Sequence, residues 1–129
     1  MTEPFTVLIV DDETLVREVG RRYLEKCGYR SVEADSIDSA VQMLATQRID
    51  AAILDVRIRG AGSGLDLLLL FRERTGLGDI PVLIMTGSIL TQEEEASITR
   101  HRAFLFYKPE GFDTIVKFLD QLTNRDQSH

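Results

Sequence analysis

The stretch FTVLIVDDE, from Phe5 to Glu13, decides the fold of this chain. An almost entirely apolar run comes first, and acidic residues follow it directly. A short run rich in Val, Ile and Leu, with little alternation of polar and apolar residues, is typical of a strand buried on both faces of a parallel sheet. Side chains at the end of such a strand lie at the carboxyl edge of the sheet, where open α/β folds place their ligand sites.

Three further apolar runs carry a polar residue at the same end. AAILD ends at Asp55, PVLIMT ends at Thr86, and FLFY is followed by Lys108. Together with Asp11 and Asp12 they make five polar side chains at the ends of four predicted strands. If these strands are parallel in one sheet, the five side chains converge on a site for a hard divalent cation and a phosphoryl group.

Strand and helix patterns alternate along the chain. The strands are predicted at Phe5–Val10, Tyr29–Ala34, Ala51–Asp55, Ile80–Thr86 and Ala103–Tyr107. The helices are predicted up to about Cys27, after Ser36, in LDLLLLFRER, at Thr91–Arg100 and at Phe112–Leu122. This alternation predicts right-handed βαβ crossovers and a single α/β domain, a doubly wound parallel sheet of five strands. We expect the domain at residues 3–125, with a Gly-rich loop at 59–64 and a frayed tail at 126–129.

The first helix carries the most specific local predictions. Asp12 or Thr14 can cap its start, and Gly28 suits its C-terminal stop. We expect Cys27 to pack as a small hydrophobic residue rather than to act as a reactive thiol. One apolar stripe is expected to face the core. Its residues are Leu15, Val16, Val19, Tyr23 and Leu24.

The composition excludes several classes of function. The 129 residues, at 14.6 kDa, suffice for one domain with a real core. A formal net charge of −6 argues against a general nucleic-acid binder. The single cysteine excludes an internal disulfide and fits a reducing compartment. Because no signal peptide precedes the first strand, and no apolar stretch approaches the roughly 20 residues of a membrane helix, we expect a cytoplasmic protein without a membrane partner.

The chemistry of the converging residues is that of phosphoryl transfer. Asp11 and Asp12 are adjacent, and a third carboxylate near them would raise their pKa unless a cation neutralised the group. Mg²⁺ accepts carboxylate oxygens, a backbone carbonyl and retained waters, and its natural further ligand is phosphate. Asp55 is then placed as a nucleophile that forms an acyl phosphate, with Thr86 and Lys108 stabilising the transferred group.

Each of these residues alone also has a plain structural explanation. An aspartate after a strand, such as Asp11 or Asp12, is often a helix cap, and Asp55 or Thr86 could simply belong to a turn. Lys108 could be a solvated surface lysine. The joint pattern favours the site, because chance does not readily place all four elements at successive strand ends.

The chain resembles the receiver domain of two-component response regulators over nearly its full length. The matching segments are VLIVDDE (Val7–Glu13), AAILDV (Ala51–Val56), PVLIMTG (Pro81–Gly87) and YKP (Tyr107–Pro109). The resemblance implies a flavodoxin-like sheet with strand order 2-1-3-4-5. It also implies a switch that catalyses its own phosphorylation and dephosphorylation and is not a metabolic enzyme, either standing alone or excised from a larger protein.

The resemblance assigns a role to each site residue. Asp55 would accept a phosphoryl group from a phosphohistidine on a histidine kinase or a histidine phosphotransfer protein. The Thr86 hydroxyl would move toward the phosphoryl oxygen, and Lys108 would form an ion pair with it. For Mg²⁺, Asp12 would be a direct ligand and Asp11 would act largely through water. Asp55 itself and the Arg57 carbonyl would complete the ligands from the protein.

The chain departs from the family pattern at three places. Arg59 stands where receivers usually carry proline, and Glu110 adds a residue in KPEGF. Leu105 stands where family members often carry an aromatic switch residue, so we do not expect the usual switch.

The signal is expected to leave through the face of helix four, strand five and helix five, with a possible phosphorylation-dependent homodimer. The charged residues of that face are Glu93, Glu94, Glu95, Arg100, Arg102, Lys117 and Asp120.

Two other classes use a similar architecture. A small aspartyl-phosphate phosphatase would typically carry a DxD arrangement and a cap region, whereas this chain has DVR at Asp55 and adjacent aspartates elsewhere. A flavin phosphate binder needs hydroxyls and glycines after the first strand, where this chain has Asp-Asp-Glu. Both alternatives stay open to experiment.

Overall fold

The computed structural model describes residues 5–58, 62–74, 76–108 and 111–123, and within them five parallel strands alternate with five helices. The strands are β1 (Thr6–Val10), β2 (Arg30–Ala34), β3 (Ala51–Leu54), β4 (Val82–Thr86) and β5 (Phe104–Tyr107). The helices are α1 (Thr14–Lys26), α2 (Ile37–Thr46), α3 (Gly64–Glu73), α4 (Gln92–Arg100) and α5 (Phe112–Thr123). The sheet order β2-β1-β3-β4-β5 confirms the predicted topology.

The sheet separates two apolar layers, and alternate residues of β1 face opposite ones. Leu8 and Val10 pack in the layer that holds the buried residues of α2, α3 and α4. Val7 and Ile9 pack in the layer of α1 and α5. Since side chains alternate along a strand, this central strand is buried on both sides and reads as a continuous apolar run.

The start of α1 differs from the prediction. The residue at the N-cap is Glu13, which makes no capping hydrogen bond through its side chain, so neither Asp12 nor Thr14 is the cap. Asp11 instead accepts a hydrogen bond from the Glu13 N–H at 2.9 Å. This short turn orients the Asp11 carboxylate at the end of β1. The predicted stop is confirmed by Gly28, whose φ of 91° lies in the left-handed region.

The buried face of α1 is also rotated from the prediction. The buried residues are Gly20 and Leu24, whereas Leu15, Val19 and Tyr23 are exposed. An added Cβ at Gly20 would lie 2.7 Å from the ring of Phe112, so this glycine lets α1 and α5 approach closely. The helix therefore packs along a stripe of Val16, Gly20 and Leu24, so two of the five predicted residues are confirmed and the other three lie outside the buried face.

The prediction of a packed Cys27 is wrong, because Cys27 is exposed. It caps the C-terminal end of α1, one turn beyond the last contacts of that helix with the core. Three other predictions lie outside the described residues, namely the tail at 126–129 and the departures at Arg59 and Glu110. The Gly-rich loop is described only from residue 62 onward.

Arg72 of α3 fastens the opposite end of the sheet. Its guanidinium donates to the carbonyls of Ile80 at 2.8 Å and Gly78 at 3.2 Å, which lie in the loop before β4. It also donates to the carbonyls of His101 at 2.7 Å and Arg102 at 3.3 Å, just past the end of α4. One half-buried side chain thus binds the C-terminal end of α4 to α3 and to the β4 side of the sheet.

Candidate functional site at the carboxyl edge of the sheet

The parallel register brings the strand ends together. Val10 of β1 is paired with Leu54 of β3, so Asp11 and Asp55 are the next residues at the same edge. Thr86 is the last residue of β4 and is paired with the last residue of β5, so Lys108 follows at that edge as well. The Lys108 N–H donates to the Thr86 carbonyl at 2.9 Å.

Lys108 joins the acidic residues of this edge. Its ammonium lies 3.2 Å from Asp11 Oδ2 and 3.2 Å from Asp55 Oδ2. Glu13 Oε1 is 3.6 Å away. Three carboxylates therefore surround one ammonium, and the charge that it leaves unbalanced is negative.

Asp55 is held firmly although it follows the last residue of β3. It is only 7% exposed, its Oδ1 accepts from the Arg57 N–H at 3.1 Å, and its Oδ2 accepts from Lys108. Gly64 lies directly behind it. An added Cβ at Gly64 would be 2.0 Å from the Asp55 carbonyl oxygen, so only glycine fits here. The capping box of Ser63 and Asp66 fixes the start of α3 at this close approach.

The surroundings of Asp11 and Lys108 shift the pKa values of both groups. Burial raises the pKa of the Asp11 carboxyl, and the charge of Asp55 adds to this, although the Glu13 N–H and Lys108 oppose it. Burial lowers the pKa of Lys108, but the charges of Asp11 and Asp55 outweigh that effect and raise it overall. The Lys108 ammonium favours the charged form of Asp11, but burial outweighs it and the pKa of that carboxyl is raised overall.

The other predicted site residues lie around this core. Thr86 is fully buried, and its hydroxyl accepts a hydrogen bond from the Ser88 N–H at 3.2 Å. Asp12 is half-buried at the same edge, beside Asp11. Arg57 is exposed, and its backbone touches the site through the N–H on Asp55. The structure thus brings Asp11, Asp55 and Lys108 into direct contact and leaves the others adjacent.

The donor set fits a divalent cation of the hard kind. Within the described ranges, no three His, Cys, Asp or Glu side chains already form a metal cluster by themselves. Mg²⁺ does not require one, since it is usually held by one or two carboxylates, a carbonyl and waters. Two buried carboxylates, a surplus of negative charge and the raised pKa of Asp11 are the conditions that such a cation would relieve.

Sequence reasoning missed two sets of contacts in this region. Arg17, in the first turn of α1, donates to the Asp11 carbonyl at 2.7 Å and pairs with Glu33 at 3.3 Å. A basic residue in the first turn opposes the helix dipole, and this misfit was the available signal. Glu94 pairs with the Arg57 guanidinium at 2.6 Å across 37 residues of sequence, and no local pattern indicates that contact.

The mouth of the site has two unlike sides. On the α1 side, an apolar groove of about 300 Å³ is lined by Leu15, Val16, Val19, Met85, Lys108 and Phe112. On the α4 side, Glu94 binds Arg57, and the Tyr107 hydroxyl donates to Glu95 at 2.8 Å. The first side offers a continuous apolar groove, whereas the second carries polar groups that are already paired, beside the exposed side chain of Ile89.

The fold and the position of its site define a class with many solved members. A response regulator receiver protein from Pseudomonas putida has a crystal structure that matches 98% of this chain and 100% of its own, with a TM-score of 0.81 and 26% identity. The doubly wound sheet is therefore shared with a solved receiver protein.

The chain belongs to the response regulator receiver domain family, whose family model matches residues 7–120. The phosphate regulon transcriptional regulatory protein PhoB of Klebsiella pneumoniae is 39% identical over 81 residues, which are 63% of this chain and 35% of that protein. The probable transcriptional regulatory protein TcrX of Mycobacterium tuberculosis is 33% identical over 124 residues, 95% of this chain and 51% of that protein. The chain thus spans between a third and about half of the length of these relatives.

Membership confirms the resemblance that the sequence motifs indicate. The family is a signalling class of two-component systems rather than a class of metabolic enzymes. No helix within the described residues is long and apolar enough to cross a membrane.

Proposed function

We propose that this chain is a Mg²⁺-dependent phosphoacceptor that takes a phosphoryl group on Asp55 from a phosphohistidine donor. The observation that carries the proposal is the arrangement of Asp55 itself. Its carboxylate is nearly buried at the sheet edge, with one oxygen on a backbone N–H and the other on the Lys108 ammonium. A carboxylate held in this way is oriented for attack.

In the transfer, an oxygen of Asp55 forms a bond to phosphorus. The bond between phosphorus and the donor imidazole nitrogen breaks, and its electron pair stays on that nitrogen. Lys108 can pair with the transferred phosphoryl oxygens, and the Thr86 hydroxyl can reach them by leaving the Ser88 N–H. These roles follow the family resemblance and agree with the contacts of each residue.

Asp12, Asp55 and the Arg57 carbonyl are the proposed protein ligands of Mg²⁺, with Asp11 acting largely through water. When bound, the ion would neutralise the carboxylates and the charge that develops on the phosphoryl group. The protein's own contribution is to hold Asp11 and Asp55 together, because β1 and β3 are adjacent in the sheet.

We also propose that the donor protein, a histidine kinase or a histidine phosphotransfer protein, docks on the α1 side of the mouth. Leu15 is 70% exposed there, and Val19 lies beside it in the same groove. Lys108 lines this groove as well as the site, so a partner seated on it would reach Asp55 directly. An exposed apolar surface that is continuous with a reaction site favours a macromolecular partner.

The output is proposed to leave through α4, β5 and α5, where phosphorylation could support a homodimer. Phe104 and Tyr107 expose part of their rings on β5, and Phe104 packs edge-on against Phe118 of α5. Partly exposed aromatic residues are frequent in interfaces, which supports this face. Glu94 and Glu95 are engaged within the chain, so they are less available for pairs across a symmetry axis.

The test compares Asp55→Asn with Asp38→Asn, a control on the exposed first turn of α2. The proteins are incubated with Mg²⁺ and acetyl phosphate that carries a radioactive phosphorus atom. The wild type and Asp38→Asn should be labelled, and Asp55→Asn should not. Chelating Mg²⁺ should abolish labelling of the wild type. Equal labelling of Asp55→Asn and the wild type would rule out Asp55 as the acceptor.

A further inference from the structure

Arg57 faces two parts of the molecule at once. Its backbone N–H donates to Asp55 Oδ1 at 3.1 Å. Its guanidinium points away from the sheet toward α4, where Nη1 lies 2.6 Å from Glu94 Oε2 and Nη2 lies 3.1 Å from Glu94 Oε1. Nη2 also donates to the Ile89 carbonyl at 3.4 Å. A single residue therefore connects the candidate phosphoacceptor, the loop before α4 and the first turn of α4.

Glu94 is a structural part of that first turn. Its Oε1 accepts from the Thr91 N–H at 2.8 Å, and the Thr91 hydroxyl accepts from the Glu94 N–H at 3.0 Å. Arg57 thus binds the carboxylate that closes the capping box of α4. The two contacts at 2.6 and 3.1 Å make the pair bidentate, and the hydrogen bonds from Arg57 and from the Thr91 N–H lower the pKa of Glu94 to about 2.

We propose that Arg57 is a positioning residue that couples the first turn of α4 to the state of Asp55. The inference rests on the proposed function and adds a route to it. A phosphoryl group on Asp55 changes the acceptor that the Arg57 N–H faces, so the peptide at residue 57 must adjust. Because the guanidinium of the same residue is bound to Glu94 and Ile89, that adjustment reaches α4 directly.

This route does not require an aromatic switch residue, whose usual position is occupied by Leu105 in this chain. The first turn of α4 has a second tie, because the hydroxyl of Tyr107, the residue before Lys108 in the sequence, donates to Glu95. The coupling is reciprocal by thermodynamic linkage, so a change in α4 must also alter ligand binding at Asp55. An ion pair of this partly exposed kind corresponds to roughly a twofold to fivefold effect on an equilibrium.

The experiment measures hydrogen exchange of α4, with and without Mg²⁺ and beryllofluoride, a mimic of the phosphoryl group. Four proteins are compared: the wild type, Arg57→Ala, Glu94→Gln and the control Glu93→Gln. The ligand should change the exchange of the β3 segment before Asp55 in the wild type, in Glu94→Gln and in Glu93→Gln. In α4, the change should be at least about threefold smaller in Arg57→Ala and Glu94→Gln than in the wild type and Glu93→Gln.

Glu94→Gln is the decisive variant, because its side chain does not touch Asp55 and the variant does not depend on how Arg57→Ala folds. If α4 responds to beryllofluoride in Glu94→Gln as fully as in the wild type, the coupling is overturned while the proposed function stands. If β3 in the wild type does not respond to the ligand at all, the proposed function itself fails, and the coupling fails with it. A lost response in α4 together with an intact response in β3 supports the coupling specifically.

Discussion

The two sides of the site mouth differ in what they leave for a partner. On the α1 side, Leu15 and Val19 expose apolar groups beside Lys108. On the α4 side, Arg57 and Glu94 satisfy each other within the chain. Both sides border the same carboxylates, so the difference between them is in packing and pairing rather than in distance from the chemistry.

This contrast suggests that the two sides of the mouth have different roles. Exposed apolar surface gains free energy when another molecule covers it, so it suits the arrival of a donor. Paired charges gain little from a new partner, since they must first break the contact that they have. They suit transmission of a change within the molecule. Three predictions test this contrast, and they are given from the largest expected effect to the smallest.

The largest effect is expected at Gly64, which packs against the backbone of Asp55 beneath both sides of the mouth. Gly64→Ala places a methyl group against the Asp55 carbonyl, which should lower the free energy of unfolding by about 3 kcal/mol or more. Urea denaturation measures the change. Gly78→Ala is the control, because an added Cβ there meets its nearest atom, the Arg72 carbonyl oxygen, at an ordinary 3.5 Å. A Gly64→Ala protein as stable as Gly78→Ala would mean that the strand end is not held against α3.

The second effect is confined to the apolar side. Leu15→Asp puts a charge into the groove, and phosphotransfer from a histidine donor protein should slow by about tenfold or more. Labelling by acetyl phosphate should stay unchanged, because that small donor needs no protein surface. The matched control is Ile89→Asp, an exposed apolar residue on the other side of the mouth. If Ile89→Asp slows the protein donor as much as Leu15→Asp does, the assignment of the docking side is wrong.

The smallest effect on stability is expected on the α4 side, where Arg57 and Glu94 form an ion pair. The Glu94 pKa of about 2 lies below its ordinary value of 4.5, so the pair stabilises the fold above about pH 4.5 and loses that contribution as the pH falls toward 2. Glu94→Gln should be less stable than the wild type by below about 1 kcal/mol near neutral pH, since Arg57 is about half exposed. The gap should close as the solution is acidified, in urea titrations repeated at several pH values. Glu93→Gln provides the baseline, and a gap that does not depend on pH would contradict the assignment to this pair.

Much of the site could be predicted from sequence because its residues mark strand ends. Asp11, Asp55 and Lys108 each follow an apolar run, and parallel pairing leaves no other place for them than one edge of the sheet. Their contact at 3.2 Å was therefore implied by pattern alone.

The contacts that could not be predicted from sequence depend on long side chains that reach another element, or on close packing between helices. The Arg57 side chain finds a partner on an element that no local periodicity relates to it. The rotation of α1 depends on Gly20, because the absence of a side chain there decides which stripe meets Phe112. The hydropathy pattern identifies the apolar residues of a helix, but it does not show which small residue will pack against an aromatic ring of a neighbouring helix.

The contacts of Arg72 have a mechanical consequence for α4. This guanidinium clamps the chain just beyond the C-terminal end of the helix, while the first turn is held by Arg57 and Tyr107. Any tilt of α4 would then pivot about its fixed end, as a lever does. Nine residues of helix span about 13 Å, so a tilt of about 10° would carry the first turn roughly 2 Å. A small event at the carboxyl edge of the sheet would be magnified where a partner can detect it.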